Sequence, residues 1–208
     1  MTLSRGLVVV ALAGLLYFGW VWMKGRSQGA TPEFSALIAL WAGRYFIEPA
    51  AVQAIVMCEQ GTLTPPDSGS WVEGDQGLSG GPSYGPMQVL RGGAIAAWEQ
   101  ANGSAADANG SYEYLNTVGN PTAMQIGCWY LAKVLATSPG DISLGFTRYN
   151  AGPGAGSVSD YGIKAYGFYQ GFGGTKTGSS SSGPAIAEAD SAGDDDSGDD
   201  SGDESEPA

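Results

Sequence analysis

A glutamate set in an apolar stripe is the first residue whose placement in this chain points to chemistry. Glu59 follows Val56, Ile55 and Val52 by three, four and seven residues, so on a helix its carboxyl shares the face that seeks a core. Burial disfavours the charged form of a carboxyl and raises its pKa. A carboxylic acid that keeps its proton at neutral pH can give it to a leaving group. The plainer reading is a partly exposed residue that ends its helix and caps the loop behind it. The chain has no histidine, which excludes Ser-His-Asp and Cys-His catalysis and histidine-based zinc sites. Its two cysteines, Cys58 and Cys128, are too few for a four-cysteine metal site or a multi-bridge framework, and no metal or cofactor is expected. Acid–base chemistry near neutral pH therefore falls mainly to carboxylates.

Two further segments carry weaker signals. In Ser83-Tyr84-Gly85-Pro86-Met87-Gln88, Gly85 would let backbone approach a ligand closely, and Gln88 offers both a donor and an acceptor. In Tyr149-Asn150-Ala151-Gly152, a phenol and an amide stand where a helix runs into a glycine turn. Taken singly, the first is a polar turn and the second a helix stop.

Taken together and in order, the segments resemble the lytic transglycosylases of the soluble-type, goose-lysozyme-like superfamily. The resemblance rests on Glu59, then Gly85-Pro86-Met87-Gln88, then Gly127-Cys128-Trp129-Tyr130-Leu131, then Tyr149-Asn150-Ala151-Gly152, and covers residues 45–155. Gln60 stands where the family usually has serine, Gln125 where it tends to carry asparagine, and the loop over residues 61–82 is longer than usual. The resemblance implies that Glu59 protonates the glycosidic oxygen between N-acetylmuramic acid and N-acetylglucosamine in peptidoglycan. Its carboxylate then takes the proton of the muramoyl 6-hydroxyl, closing a 1,6-anhydro ring. It also implies a substrate-binding set of Ser83, Gly85, Met87, Gln88, Tyr149 and Asn150, with Gln88 and Tyr149 contacting the sugar and Met87 and Asn150 shaping the floor. Asp67, Glu73 and Asp75 in the long loop could supply a second carboxylate, as hydrolysing glycosidases use, so a lysozyme is a close variant. A membrane-anchored peptidoglycan-binding or virion structural protein that has lost turnover is the rival from another class.

The elements that must position these residues read as helices. Thr31, Pro32 and Glu33 form an N-cap, a first-turn proline and a first-turn acid, followed at helical spacing by Phe34, Leu37, Ile38, Trp41 and Tyr45. Pro49 opens the helix of Glu59, and Asn120-Pro121 caps a third with Met124, Gly127, Cys128, Leu131, Val134 and Leu135 on one face. Ser138-Pro139 is expected to start a fourth, carrying Ile142, Phe146 and Tyr149. Shorter helices are expected over residues 92–100 and 160–170, and Gly/Pro/Ser-rich loops fill 61–82 and 102–119, of the length that often carries function. Cys58 and Cys128 fall on two of the core helices, where a disulfide and two ordinary core thiols are equally compatible with the pattern. Trp71, Trp98, Trp129, Tyr161, Tyr166, Phe168 and Tyr169 are either core or sugar-stacking aromatics.

The ends of the 208-residue chain differ in kind from its middle. Residues 7–23 are uncharged and strongly apolar, flanked by Arg5, Lys24 and Arg26, with Tyr17, Trp20 and Trp22 at one end. This reads as a single transmembrane anchor over residues 6–24, in contact with a lipid membrane; a cleaved signal peptide is the alternative. Ten of the 21 acidic residues lie between Glu188 and Glu206 with no Lys or Arg among them, so most of the net charge of -12 belongs to the tail. Residues 173–208 read as a Gly/Ser-rich linker and a disordered acidic tail. No basic cluster suited to nucleic acid is present, so nucleic acid is not an expected partner. The expectation is a mostly α, lysozyme-like domain over residues 31–172 with long loops and a glycan cleft. The expected setting is a phage virion or a bacterial envelope facing the periplasm, with virion or envelope proteins as partners.

Overall fold

The computed structural model describes residues 30–77, 79–107 and 110–178. The expected anchor at 7–23 and the acidic tail lie outside them, and among the described residues no helix is long and apolar enough to cross a membrane. The domain is mostly helical: α1 Pro32–Arg44, α2 Pro49–Gln60, α3 Ala96–Asn102, α4 Pro121–Ala136, α5 Ile142–Ala151 and α6 Asp160–Gly171. A two-residue hairpin, β1 Ser83–Tyr84 against β2 Val89–Leu90, and a π-helical turn Arg91–Ile95 precede α3.

Local chemistry sets most helix starts. Thr31 accepts from the Phe34 amide at 3.2 Å, and Asn120 Oδ1 accepts from the Thr122 amide at 2.8 Å, each just ahead of a proline. Helix α5 begins later than the Ser138-Pro139 pair implies. Gly140 takes a left-handed φ of 82°, which ends any continuous turn there, and Asp141 becomes the N-cap, accepting from the amides of Ser143 and Leu144.

Helix α2 occupies the centre. Every residue from Ala50 to Val56 is buried, so the stripe read from Val52, Ile55 and Val56 is part of a helix covered on all sides up to its last turn. It packs against α6, which packs in turn against α5. That second crossing is close: a Cβ on Gly162 would stand 2.2 Å from Thr147 Oγ1 and 2.4 Å from the Ser143 carbonyl. Ala is therefore excluded at 162 unless the helices separate.

The long loops are ordered by each other. The Trp71 amide donates to the Asn116 carbonyl at 2.7 Å, Val118 to Gly69 at 2.9 Å, and Asn116 Oδ1 accepts from the Gly85 amide at 2.7 Å. The domain also extends past the expected boundary at 172. The Gly/Thr-rich segment after α6 folds back: the Thr175 amide donates to Glu48 Oε2 at 3.1 Å, Thr175 Oγ1 to Glu48 Oε1 at 2.8 Å, and the Ile142 amide to the Thr177 carbonyl at 3.0 Å. Residues 173–178 therefore belong to the folded unit rather than to the linker. Cys58 and Cys128 are both free thiols.

Candidate active site

Helix α2 ends at Gln60, capped by Gly61, and its last turn emerges from the core into a cleft of about 270 Å³. Glu59 lines this cleft with Asp75, Gln88, Tyr130, Tyr149 and Asn150, and the 150–153 turn forms part of its rim. Residues from distant stretches of sequence meet there. Half-buried Glu59 is the group best suited to move a proton. Burial pushes its carboxyl above the ordinary value of 4.5; the hydroxyl of Tyr161, donating to Oε1 at 2.5 Å, and the charge of Lys164 pull it down, while the negative charge of Asp75 pushes it up. The net shift is upward. Tyr161 occupies one carboxyl oxygen, which leaves the other to carry the proton.

Tyr149 sits deep in the wall beside Glu59. Burial, and then the charge on Glu59, hold its phenol well above its ordinary pKa, so it is a donor and not a base. It donates to the Met87 carbonyl at 2.8 Å, and its ring meets Tyr130 with centroids 5.6 Å apart. Asn150, one residue on, is exposed at the rim.

Gln88 lines the cleft, but its polar atoms are engaged within the protein. Its amide nitrogen donates to the carbonyls of Val72 and Gly85, both at 2.9 Å, and Oε1 accepts from Ser83 Oγ at 2.8 Å. Gly74 pairs with Ser83 through two backbone hydrogen bonds, and a Cβ on Gly74 would stand 2.1 Å from Gln88 Oε1. Gln88 thus fastens the segment around Gly74, and next to it Asp75 lines the cleft with a left-handed φ of 55°.

Ser83, Gly85 and Met87 stand behind the wall rather than at its surface. Ser83 and Met87 are fully buried. Gly85 faces α4 instead of a ligand: a Cβ there would stand 2.7 Å from the Ala123 Cβ, and its φ is 74°. One helical turn along, a Cβ on Gly127 would stand 2.5 Å from Met87 Sδ. The glycines at 85 and 127 are required because the 85–87 turn lies flat against α4, with Met87 as the floor beneath Tyr149.

No family model, no curated protein and no solved structure matches the chain. Beside the expected substrate-binding set, Tyr130 of the 127–131 block and Asp75 of the long loop line the cleft, and Tyr161, named among the candidate stacking aromatics, instead supports Glu59 by a hydrogen bond. Tyr161 reaches Glu59 across a separation of 102 residues, for which no local pattern exists. Asp75 is one of three acids in the long loop, and it is the one on the cleft. Of the candidate stacking aromatics, Trp71, Trp98, Tyr166 and Tyr169 are buried in the core. Cys58 adjoins Glu59, but burial raises its thiol to about 11, which keeps it protonated and a poor nucleophile. Among the described residues no group of three or more His, Cys, Asp or Glu could hold a metal ion.

Proposed function

We propose that the chain is a peptidoglycan lytic transglycosylase with a lysozyme-like domain, held at a membrane by residues 7–23 in a phage virion or a bacterial envelope. The observation that carries this is the raised, half-buried carboxyl of Glu59 opening onto a cleft that also holds Tyr149, Asn150 and Gln88. In the reaction, the Glu59 proton moves to the glycosidic oxygen as the C1–O bond of N-acetylmuramic acid breaks, and the N-acetylglucosamine-bearing strand leaves as an alcohol. The resulting carboxylate takes the proton from the muramoyl 6-hydroxyl, whose oxygen bonds to C1. Glu59 ends protonated, and no water is consumed. Tyr161 suits both halves: one donor hydrogen bond steadies the anion without abolishing the high proton affinity that burial provides. Tyr149, backed by the buried Met87, forms the wall against which the sugar rests, and Gln88 contributes by fastening the loop that brings Asp75 to the cleft.

Asp75 favours a second reading, a hydrolysing muramidase. Two carboxyls at one cleft are the equipment with which one acts as acid and the other directs water. Digestion of purified peptidoglycan followed by mass spectrometry separates the two. The transglycosylase yields muropeptides ending in 1,6-anhydromuramic acid; the muramidase yields reducing ends one water heavier. A chain that releases neither product, yet sediments with peptidoglycan, is the non-catalytic binding protein.

A further inference from the structure

The end of α2 opposite the cleft carries an anomaly that catalysis does not use. Helix α1 closes with paired backbone bonds, Phe46 amide to Gly43 carbonyl at 3.3 Å and Ile47 amide to Ala42 carbonyl at 3.0 Å. In this motif the residue at the Phe46 position adopts a left-handed conformation and is usually glycine or asparagine. In this chain it is phenylalanine with φ 55°, although the sequence holds 34 glycines. Its side chain gains nothing in return from the core, since Phe46 is 92% exposed. On α1 itself Leu40 is 60% exposed, and Arg44, four residues on and hence on the same face, is also exposed. Lys176 lies close enough to Glu48, two residues beyond Phe46, to act on its charge. An aromatic ring, a leucine and two cations on one end of a domain have the composition of a surface that enters the headgroup layer of a bilayer.

The covalent layout points the same way. Only seven residues, 24–30, separate the apolar stretch from the domain, two of them Lys24 and Arg26. Fully extended they reach about 25 Å, and α1 is only about 20 Å long. If residues 7–23 span a membrane, as the proposed function has it, every part of α1 lies within reach of that membrane's surface. We infer that Phe46, Leu40 and Arg44 form a second, non-covalent contact with an anionic bilayer, which seats the domain with the cleft facing away. Helix α2 is the spacer: Phe46 precedes its first turn, and Glu59, in its last turn, stands about 18 Å along its axis. The seated ring then fixes which way the cleft points.

The test uses the full chain reconstituted in vesicles of phosphatidylcholine and phosphatidylglycerol, with the photocrosslinker p-benzoylphenylalanine placed at 46 or, in a second preparation, at 72. Val72 is the control because it is an apolar residue, 76% exposed, on the loop beside the cleft. After irradiation, mass spectrometry of the peptides is expected to show lipid adducts at 46 and few or none at 72, with the yield at 46 falling when phosphatidylglycerol is omitted. Equal adduct yields at the two positions overturn the inference, as does crosslinking from 46 to a second copy of the chain instead of to lipid. Failure of the chain to float with the vesicles overturns both this inference and the anchor. None of these outcomes bears on glycan cleavage, which is read separately from muropeptide release.

Discussion

Helix α2 has a glutamate at each end, Glu48 just before it and Glu59 in its last turn, and each accepts a hydrogen bond from a tyrosine of α6, yet the two are driven in opposite directions. Tyr169 donates to Glu48 at 2.7 Å, and Tyr161 donates to Glu59 at 2.5 Å. Burial raises the proton affinity of both. At Glu48 the donors from Tyr169 and from the amide and hydroxyl of Thr175, with Lys176 nearby, outweigh burial, so its carboxyl is held below the ordinary 4.5. At Glu59 the Tyr161 donor and Lys164 do not outweigh burial reinforced by Asp75, and the carboxyl rises. Neither residue type, nor helix, nor the presence of a tyrosine decides the charge. The balance of donors against burial does. A carboxylate held by Tyr169 and twice by Thr175 is a structural tie between the start of α2 and the returning 173–178 segment. A carboxyl held by Tyr161 alone among the described residues, at the mouth of a cleft, has the proton affinity that the proposed general acid needs.

The largest expected effect breaks the cleft end alone. Glu59→Gln keeps the shape, including an acceptor for Tyr161, and removes the transferable proton, so muropeptide release should fall by roughly 10²–10⁴-fold, the usual contribution of a general acid. Its stability should be equal or higher at neutral pH. A carboxyl whose folded pKa is raised costs the folded state progressively as pH climbs from 4.5 through that raised value, and the amide escapes that cost. Thermal melts of both proteins at acidic and neutral pH check this.

Next in size is Gln88→Ala, which releases the Val72 and Gly85 carbonyls and the Ser83 hydroxyl together. The loop bearing Asp75 should loosen, and activity should drop about tenfold or more, since misplacement by about 1 Å can cost a hundredfold. Protease sensitivity between 70 and 80 should rise in parallel; unchanged sensitivity with lost activity would instead mean that Gln88 touches the sugar directly. Tyr161→Phe sharpens the comparison. Removing the Tyr161 hydroxyl deletes a contribution that lowers the pKa of Glu59, so the alkaline limb of the kcat/KM profile should move to higher pH. A shift to lower pH would contradict a stabilising role for that hydroxyl. Smallest is Glu48→Gln, which should cost about 1 kcal/mol of stability at pH 7 after discounting charged hydrogen bonds for partial exposure. The sign is opposite to that at Glu59: the wild-type advantage is full above 4.5 and fades as pH falls through the lowered pKa of Glu48.

What the sequence made legible was local. Thr31 before Pro32 and Asn120 before Pro121 fix helix starts by side-chain reach to the next turn, and the spacing of Val52, Ile55, Val56 and Glu59 fixes which residue leaves the core last. What it hid was long-range. The strands of the 83–90 hairpin are two residues each, too short to show alternation. The 173–178 segment has linker composition, and its order comes from Glu48, 127 residues away from Thr175. Gly85 reads as a place for close ligand approach, whereas the neighbour that forbids a side chain is Ala123 on another helix. Gln88 reads as a free amide because its partners, Val72 and Ser83, face it only once the loop has closed.

Glu59 is expected to keep its proton at pH values where Glu48 has already lost its own. Titration of the glutamate side-chain carboxyls by carbon-detected NMR on the intact protein, with assignments from Glu59→Gln and Glu48→Gln, reads both directly. The expected result is a Glu59 midpoint above 4.5 and a Glu48 midpoint below it. A Glu59 midpoint at or below that of Glu48 would contradict the claim.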